Sequence, residues 1–273
     1  MGIIKDMPDK PQILLTNDDG ILSPGLWATA AVLSKLGFVT VAAPREQSSG
    51  AGRSLPATSD GLIREETVDV LGQRWRAYAV GGTPAQAVLH AVLEIMPRRP
   101  DLVVSGINYG ENICTGITIS GTVGAAMEAA SLGIPAIAIS LETSKHLHLS
   151  YSTEVDFSAA AYFAEYFGRL LLERGLPQGV DLLKVDVPSN ATPATAWEWT
   201  RLSHQRYYMP TAPKRASWDV PGTVGYEPNL DLAIEPQDTD AYALLQHRLV
   251  SVTPLMLDMT ARVDFEELKG FSA

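Results

Sequence analysis

Apolar and polar positions along the first half of the chain come in blocks. The run QILLTN (Gln12 to Asn17) ends in Asp18-Asp19-Gly20, and from Ser23 to Leu36 the residues Leu26, Trp27, Ala30, Leu33 and Leu36 recur near helical spacing. This predicts strand, turn, helix. FVTVAAP (Phe38 to Pro44) predicts a second strand, closed by proline and leading into the polar loop REQSSGAGRS (Arg45 to Ser54). The pattern then predicts a strand at WRAYAV (Trp75 to Val80), a helix from Pro84 to Met96 and a strand at DLVVSG (Asp101 to Gly106). A Gly-rich loop follows, then a helix near Thr122 to Leu132 and a strand at IPAIAIS (Ile134 to Ser140).

Strands that are almost wholly apolar, alternating with helices, indicate a mostly parallel sheet covered on both faces. The expected class is therefore α/β, a doubly wound, Rossmann-like sheet. Further on, Asp156 to Arg174 reads as a helix, DLLKVDVP (Asp181 to Pro188) as a strand and RLVSVTPL (Arg248 to Leu255) as a late strand. Between Trp197 and Asn229 the chain becomes rich in aromatics and prolines, which reads as an extended β arm packed on the core or on another subunit. The expected organisation is a single domain over 1–273. Residues 1–190 form the α/β core, 191–235 the arm that associates subunits, and 236–273 a return to the core.

Composition narrows the classes. With 46% hydrophobic and 19% charged residues, the 273-residue chain is an ordinary globular sequence. Its 31 acidic and 21 basic residues give a formal net charge of -10, which argues against a surface that follows a nucleic-acid polymer or an anionic membrane. A small anionic substrate stays compatible, because a bound cation and backbone amides can reverse the field inside one pocket. Cys114 is the single cysteine, so no intrachain disulfide forms. The N-terminus lacks the apolar core of a signal peptide, and a cytoplasmic location is expected.

In an open parallel sheet, ligands bind beyond the carboxyl ends of the strands, so the loops there carry the candidate chemistry. The first offers Asn17, Asp18, Asp19 and Gly20. The paired acids read either as ligands of a hard cation or as a turn before a positive helix end. The second offers Ser48 and Ser49, four and five residues after Pro44, as cation or phosphate ligands or as part of a solvated loop. The third runs from Ser105 through Asn108 and Asn112 to Ser120-Gly121-Thr122, either an anion cradle or an ordinary helix start. Two carboxylates and neutral oxygens beside an anion cradle suit metal-assisted phosphoryl transfer to water. Rival motifs are missing: the chain has no Gly-x-Ser-x-Gly, no Gly-x-x-x-x-Gly-Lys-Ser/Thr, and no Gly-x-Gly-x-x-Gly after the first strand. His146 and His148, with no third ligand nearby, read as surface residues.

The segments ILLTNDDGILSPG (Ile13 to Gly25), AAPREQSSGAGRSL (Ala42 to Leu55), GGTPAQAV (Gly81 to Val88), DLVVSGINYGENI (Asp101 to Ile113) and SGTVGAAMEAASLGIPAIAIS (Ser120 to Ser140) together resemble the survival-protein SurE family. The resemblance implies one divalent cation per subunit (Mg, Mn or Ca) held by Asp18, Asp19, Ser48 and Asn108. It implies catalytic roles for Asp18, Asp19 and Asn108, and substrate binding by Asn17, Asn112, Ser120, Gly121 and Thr122. The activity it implies is hydrolysis of nucleoside 5′-monophosphates, and of 3′-monophosphates in some members. A polyphosphatase or a nucleotide-binding regulator without turnover are the alternatives. It further implies a homodimer or homotetramer. Members often carry an aspartate between Asn112 and Ser120, where this chain has none.

Overall fold

The computed structural model describes residues 10–70 and 72–271. Its centre is a nine-stranded sheet built outward from β1 (Gln12–Thr16), which is flanked in parallel by β2 (Phe38–Pro44) and by β5 (Leu102–Tyr109). On the β2 side the sheet continues through β4 (Gln73–Val80), parallel to β2, to β3 (Ile63–Val70), an antiparallel edge. On the β5 side come β6 (Ala136–Leu141), β7 (Leu182–Val187), β11 (Val250–Leu255) and β8 (Trp197–Trp199). β6 and β7 keep the parallel sense, β11 reverses it, and β8 runs alongside β11.

Helices cover both faces, as the apolar strands require. Within β1, Ile13 and Leu15 point to one face and Leu14 to the other, the two-residue period of a strand. The Ile13 face packs on α1 (Pro24–Leu33) and α4 (Ser158–Arg174) through Leu26, Leu33, Phe163 and Phe167. The Leu14 face packs on α2 (Pro84–His90) and α3 (Gly121–Ser131) through Val88, Val123 and Ala126. α2 opens with a capping box in which Thr83 and Gln86 exchange side-chain and backbone bonds, and it ends in one wider turn at Ala91–Ile95.

The structure departs from the sequence reading in three places. β3 was not anticipated, because IREETVDV alternates charged and apolar residues as a half-exposed edge strand does. The tryptophan-rich start of the expected arm is part of the main sheet as β8, where Trp197 meets the ring of Phe167 at 5.4 Å. Only β9 (Tyr208–Thr211) and β10 (Gly225–Pro228) stand apart, as a two-stranded antiparallel unit. β5 also runs three residues beyond the expected Gly106. There the pairing with β6 slips between Ser105 and Asn108, and Gly106, at φ 129°, lies so close to the Ile139 carbonyl that a Cβ would sit 2.2 Å from its oxygen.

Strand order reverses between β1 and β5, so the crevice outside their carboxyl ends is where this class of sheet places a ligand. The short helices α5 (Asp240–Tyr242) and α6 (Phe265–Phe271) lie in the C-terminal segment.

Candidate active site

Two carboxylates sit at the end of β1 with almost no contact with solvent: Asp18 is 5% and Asp19 1% exposed. The turn that presents them is closed by Asn17, whose amide donates to the Gly20 carbonyl (3.0 Å) and accepts from the Gly20 N–H (3.1 Å). Both ends of that amide are therefore occupied inside the turn. Asn17, expected to bind substrate, closes the turn that holds the acidic pair and is not among the residues that line the cleft.

Neutral donors hold the pair. The Thr122 hydroxyl donates to Asp18 Oδ1 at 2.5 Å, the Tyr109 N–H to Asp19 Oδ2 at 3.2 Å, and Gln47 Nε2 to Asp19 Oδ1 at 3.3 Å. Among the described residues no lysine or arginine pairs with either carboxylate. Burial pushes the Asp18 carboxyl above its ordinary range, more than its hydrogen bonds pull it back. Burial and then the neighbouring Asp18 charge push Asp19 well above it. Two adjacent, desolvated acids without a basic partner are a donor set that a hard cation satisfies.

The neighbouring loops complete the set with neutral oxygens. Asn108 donates its amide nitrogen to the carbonyls of Gly110 (2.7 Å) and Tyr109 (3.3 Å), which turns Oδ1 away from them, and the residue lines the cleft. The Ser48 N–H donates to the Asp18 carbonyl at 2.7 Å, so the second loop closes directly on the acidic pair, with the Ser48 hydroxyl 3.3 Å from the Glu46 carbonyl. Ser49 and Gly50 form the wall of the cleft at this point. The oxygens of Asp18, Asp19 and Ser48 thus come from two loops that meet, that of Asn108 from the end of β5, and their chemistry fits a divalent cation of the Mg, Mn or Ca type.

The start of α3 faces the same place. Ser120 caps the helix by accepting from the Val123 N–H (3.1 Å), and a Cβ on Gly121 would lie 2.7 Å from the Asp18 Cβ and 2.9 Å from its Oδ2. Only glycine lets the helix start approach the carboxylate this closely. The Thr122 hydroxyl, expected to bind substrate, donates its proton to Asp18. Asn112 lines the cleft, with its main-chain N–H on Asp186 Oδ1 (2.7 Å) and its amide nitrogen on the Ser140 hydroxyl (2.8 Å).

The cleft has a volume of about 540 Å³. Its walls include residues that the sequence reading did not place at the site: Glu111, His148, Tyr208 and Tyr226. His148 is 9% exposed and not a surface residue, while His146 is exposed as expected. Its ring lies 3.2 Å from the Thr143 carbonyl through Nε2 and 3.1 Å from the Tyr226 hydroxyl through Nδ1. A carbonyl only accepts, so Nε2 carries the proton and Nδ1 accepts from tyrosine. Burial first, and the Lys145 and His146 charges after it, hold His148 below its usual pKa, against the pull of the Thr143 carbonyl. The signal available in sequence was the density of aromatics after Trp197; Gln47 gave none.

A family model, Survival protein SurE, matches residues 13–209. This chain belongs to the SurE family. The SurE relationship extends beyond the matched span: 5′-nucleotidase SurE of Thermococcus gammatolerans is 50% identical over 261 residues, 95% of each chain. 5′-Nucleotidase SurE of Thermococcus kodakarensis is 48% identical over 265 residues, covering 94% of this chain and 97% of the relative. In three dimensions the crystal structure of the SurE protein from Aquifex aeolicus is similar at a TM-score of 0.74 and 32% identity, over 96% of this chain and 100% of that one. The SurE fold and the mostly parallel sheet expected from the sequence are both present.

Proposed function

We propose that this chain is a divalent-metal-dependent 5′-nucleotidase that hydrolyses nucleoside monophosphates to nucleoside and phosphate. The observation that carries this reading is the buried Asp18–Asp19 pair, unpartnered by any described basic residue and set against the start of α3 at the mouth of a cleft. The names of the Thermococcus relatives support the same substrate class.

In this reading Asp18, Asp19, Asn108 Oδ1 and the Ser48 hydroxyl hold the cation. When bound, the cation supplies Lewis-acid polarisation of the phosphoryl group and neutralises the acidic pair. Thr122 and Gln47 fix the carboxylates in orientation before substrate arrives, so little reorganisation is needed in the reaction. Ser120 and Asn112, which line the cleft beside the start of α3, receive the phosphoryl oxygens, where the helix end favours negative charge. The exposed Trp218, in the segment between β9 and β10, supports association of copies through residues 191–235 as a homodimer or homotetramer.

The test is release of inorganic phosphate from AMP with Mn²⁺ or Mg²⁺ and with excess EDTA. Turnover with metal and none with EDTA is expected. Release that continues undiminished in EDTA would falsify the metal-dependent reading.

A further inference from the structure

A cation and a phosphoryl group fill only part of a cleft of about 540 Å³, which lies within the roughly 300–1,000 Å³ typical of sites for whole small molecules. One side of the remaining wall is built by the two-stranded unit outside the main sheet: Tyr208 and Pro210 from β9, Val224 beside β10, and Gly225 and Tyr226 from β10. Its two tyrosine rings lie 5.1 Å apart at 72°, and the His148 ring is 6.2 Å from Tyr226, nearly parallel to it at 13°. Their polar ends are occupied elsewhere. The Tyr208 hydroxyl donates to Glu111 Oε1 (2.6 Å), and the Tyr226 hydroxyl donates to His148 Nδ1 (3.1 Å). With the hydroxyls held by Glu111 and His148, two other residues of the cleft wall, the rings are fixed in orientation along the cleft. The unit itself is tied down beside them by Lys145 Nζ, 2.6 Å from Glu227 Oε1 and 5.1 Å from the Tyr226 ring centre.

We infer that Tyr208 and Tyr226, with Pro210 and Val224, form the nucleobase wall of the cleft, and that this wall selects nucleotides over other phosphomonoesters. The inference rests on the nucleotidase reading and deepens it. Every base offers a flat π-face, so stacking on tyrosine is tolerant of base identity. Purine and pyrimidine monophosphates are therefore both substrates, with purines favoured by their larger face, and a sugar phosphate without a base is a poor one. Tyr226 is a specificity-determining residue in this scheme.

The experiment compares kcat/KM for AMP and for ribose 5-phosphate, which share the phosphate and sugar and differ in the base. Wild type prefers AMP by about tenfold or more, the effect of one base–aromatic stack. Tyr226→Leu, which keeps apolar bulk and removes the π-face, collapses that ratio by about tenfold, whereas Tyr226→Phe keeps it. Calorimetric titration with adenosine gives a readout independent of turnover: wild type and Tyr226→Phe bind it, and Tyr226→Leu loses it. Equal use of AMP and ribose 5-phosphate by wild type overturns the wall and leaves the phosphohydrolase intact. A parallel fall of both substrates in Tyr226→Leu overturns it too, as does adenosine binding that Tyr226→Leu retains. No phosphate from either substrate counts against the nucleotidase alone, and adenosine binding then decides the wall.

Discussion

At the scale of single residues, the acidic pair sets function against stability. Asp18 and Asp19 share a desolvated turn, and Asp19 carries, after its own burial, the cost of the Asp18 charge when no cation is present. Asp18→Asn and Asp19→Asn are each expected to lower metal-dependent release of phosphate from AMP by about a hundredfold or more, as loss of a preorganised electrostatic group does. Asp19→Asn should also raise the melting temperature of the metal-free protein by about 2–4 °C, since it removes roughly 1 kcal/mol or more of like-charge repulsion. Calorimetry with EDTA checks the second outcome. A variant that loses activity and also melts lower would show that Asp19 is a packing residue.

At the scale of elements, the site depends on how closely strands and helix ends approach. Gly121→Ala places a methyl group within 3 Å of the Asp18 side chain, so either α3 retreats or the carboxylate turns away. The expected result is a fall in kcat of about tenfold or more with a higher half-saturating metal concentration, since a small misplacement of a reacting group is costly. Wild-type kinetics in this variant would show that the helix start is slack. A second joint lies where β11 begins. Arg248, in the left-handed region at φ 57°, reaches Glu142 at the end of β6, and Glu142 also accepts from the Ser189 N–H and hydroxyl at 2.8 Å. Burial pushes Glu142 up, but the Arg248 and Ser189 bonds outweigh it and hold its pKa below the ordinary 4.5. A depressed folded pKa means that the clamp stabilises fully above the unfolded value and is lost as pH falls through the folded one. Glu142→Gln should therefore melt lower than wild type at pH 7, by an amount that shrinks below about pH 4.5. Melting curves across pH 3–7 test this, and a constant difference would show that charge plays no part.

At the scale of the whole molecule, the C-terminal return is joined to the core by a charge cluster with no solvent contact. Lys184 of β7 lies against Asp186 of the same strand and 3.1 Å from Asp240 at the start of α5, and all three side chains are 0% exposed. Burial alone would lower the lysine pKa, but the two carboxylates raise it, whereas at Asp186 burial outweighs the lysine and pushes the carboxyl up to about 6. Asp186 Oδ1 accepts the N–H of Asn112, and Asp240 Oδ2, the oxygen that faces Lys184, accepts that of Cys114 at φ 59°, so the same cluster carries the loop that lines the cleft. Lys184→Met leaves two buried acids without a cation and is expected to cost about 3–5 kcal/mol. Loss of roughly 10 °C in melting temperature is the corresponding readout. A change of 1 °C or less would show that the acids simply take up protons at no cost.

The sequence by itself determined the alternation of strand and helix, because continuous apolar runs and helical spacing state directly which residues must leave water. Thus FVTVAAP is β2 to the residue, and the loops bearing Asp18 and Ser48 follow strand ends as the runs require, while Asn108 stands in the last residues of β5, which the runs did not reach. What only the tertiary structure decided is what touches what across long separations. That the Thr122 hydroxyl serves Asp18, that His148 is buried against Tyr226, and that Trp197 extends the main sheet all depend on partners at least 30 residues away. Such contacts leave no periodic trace, because a side chain's partner is fixed by how the sheet is wound. Periodicity reports only the exposure of a segment's own two faces.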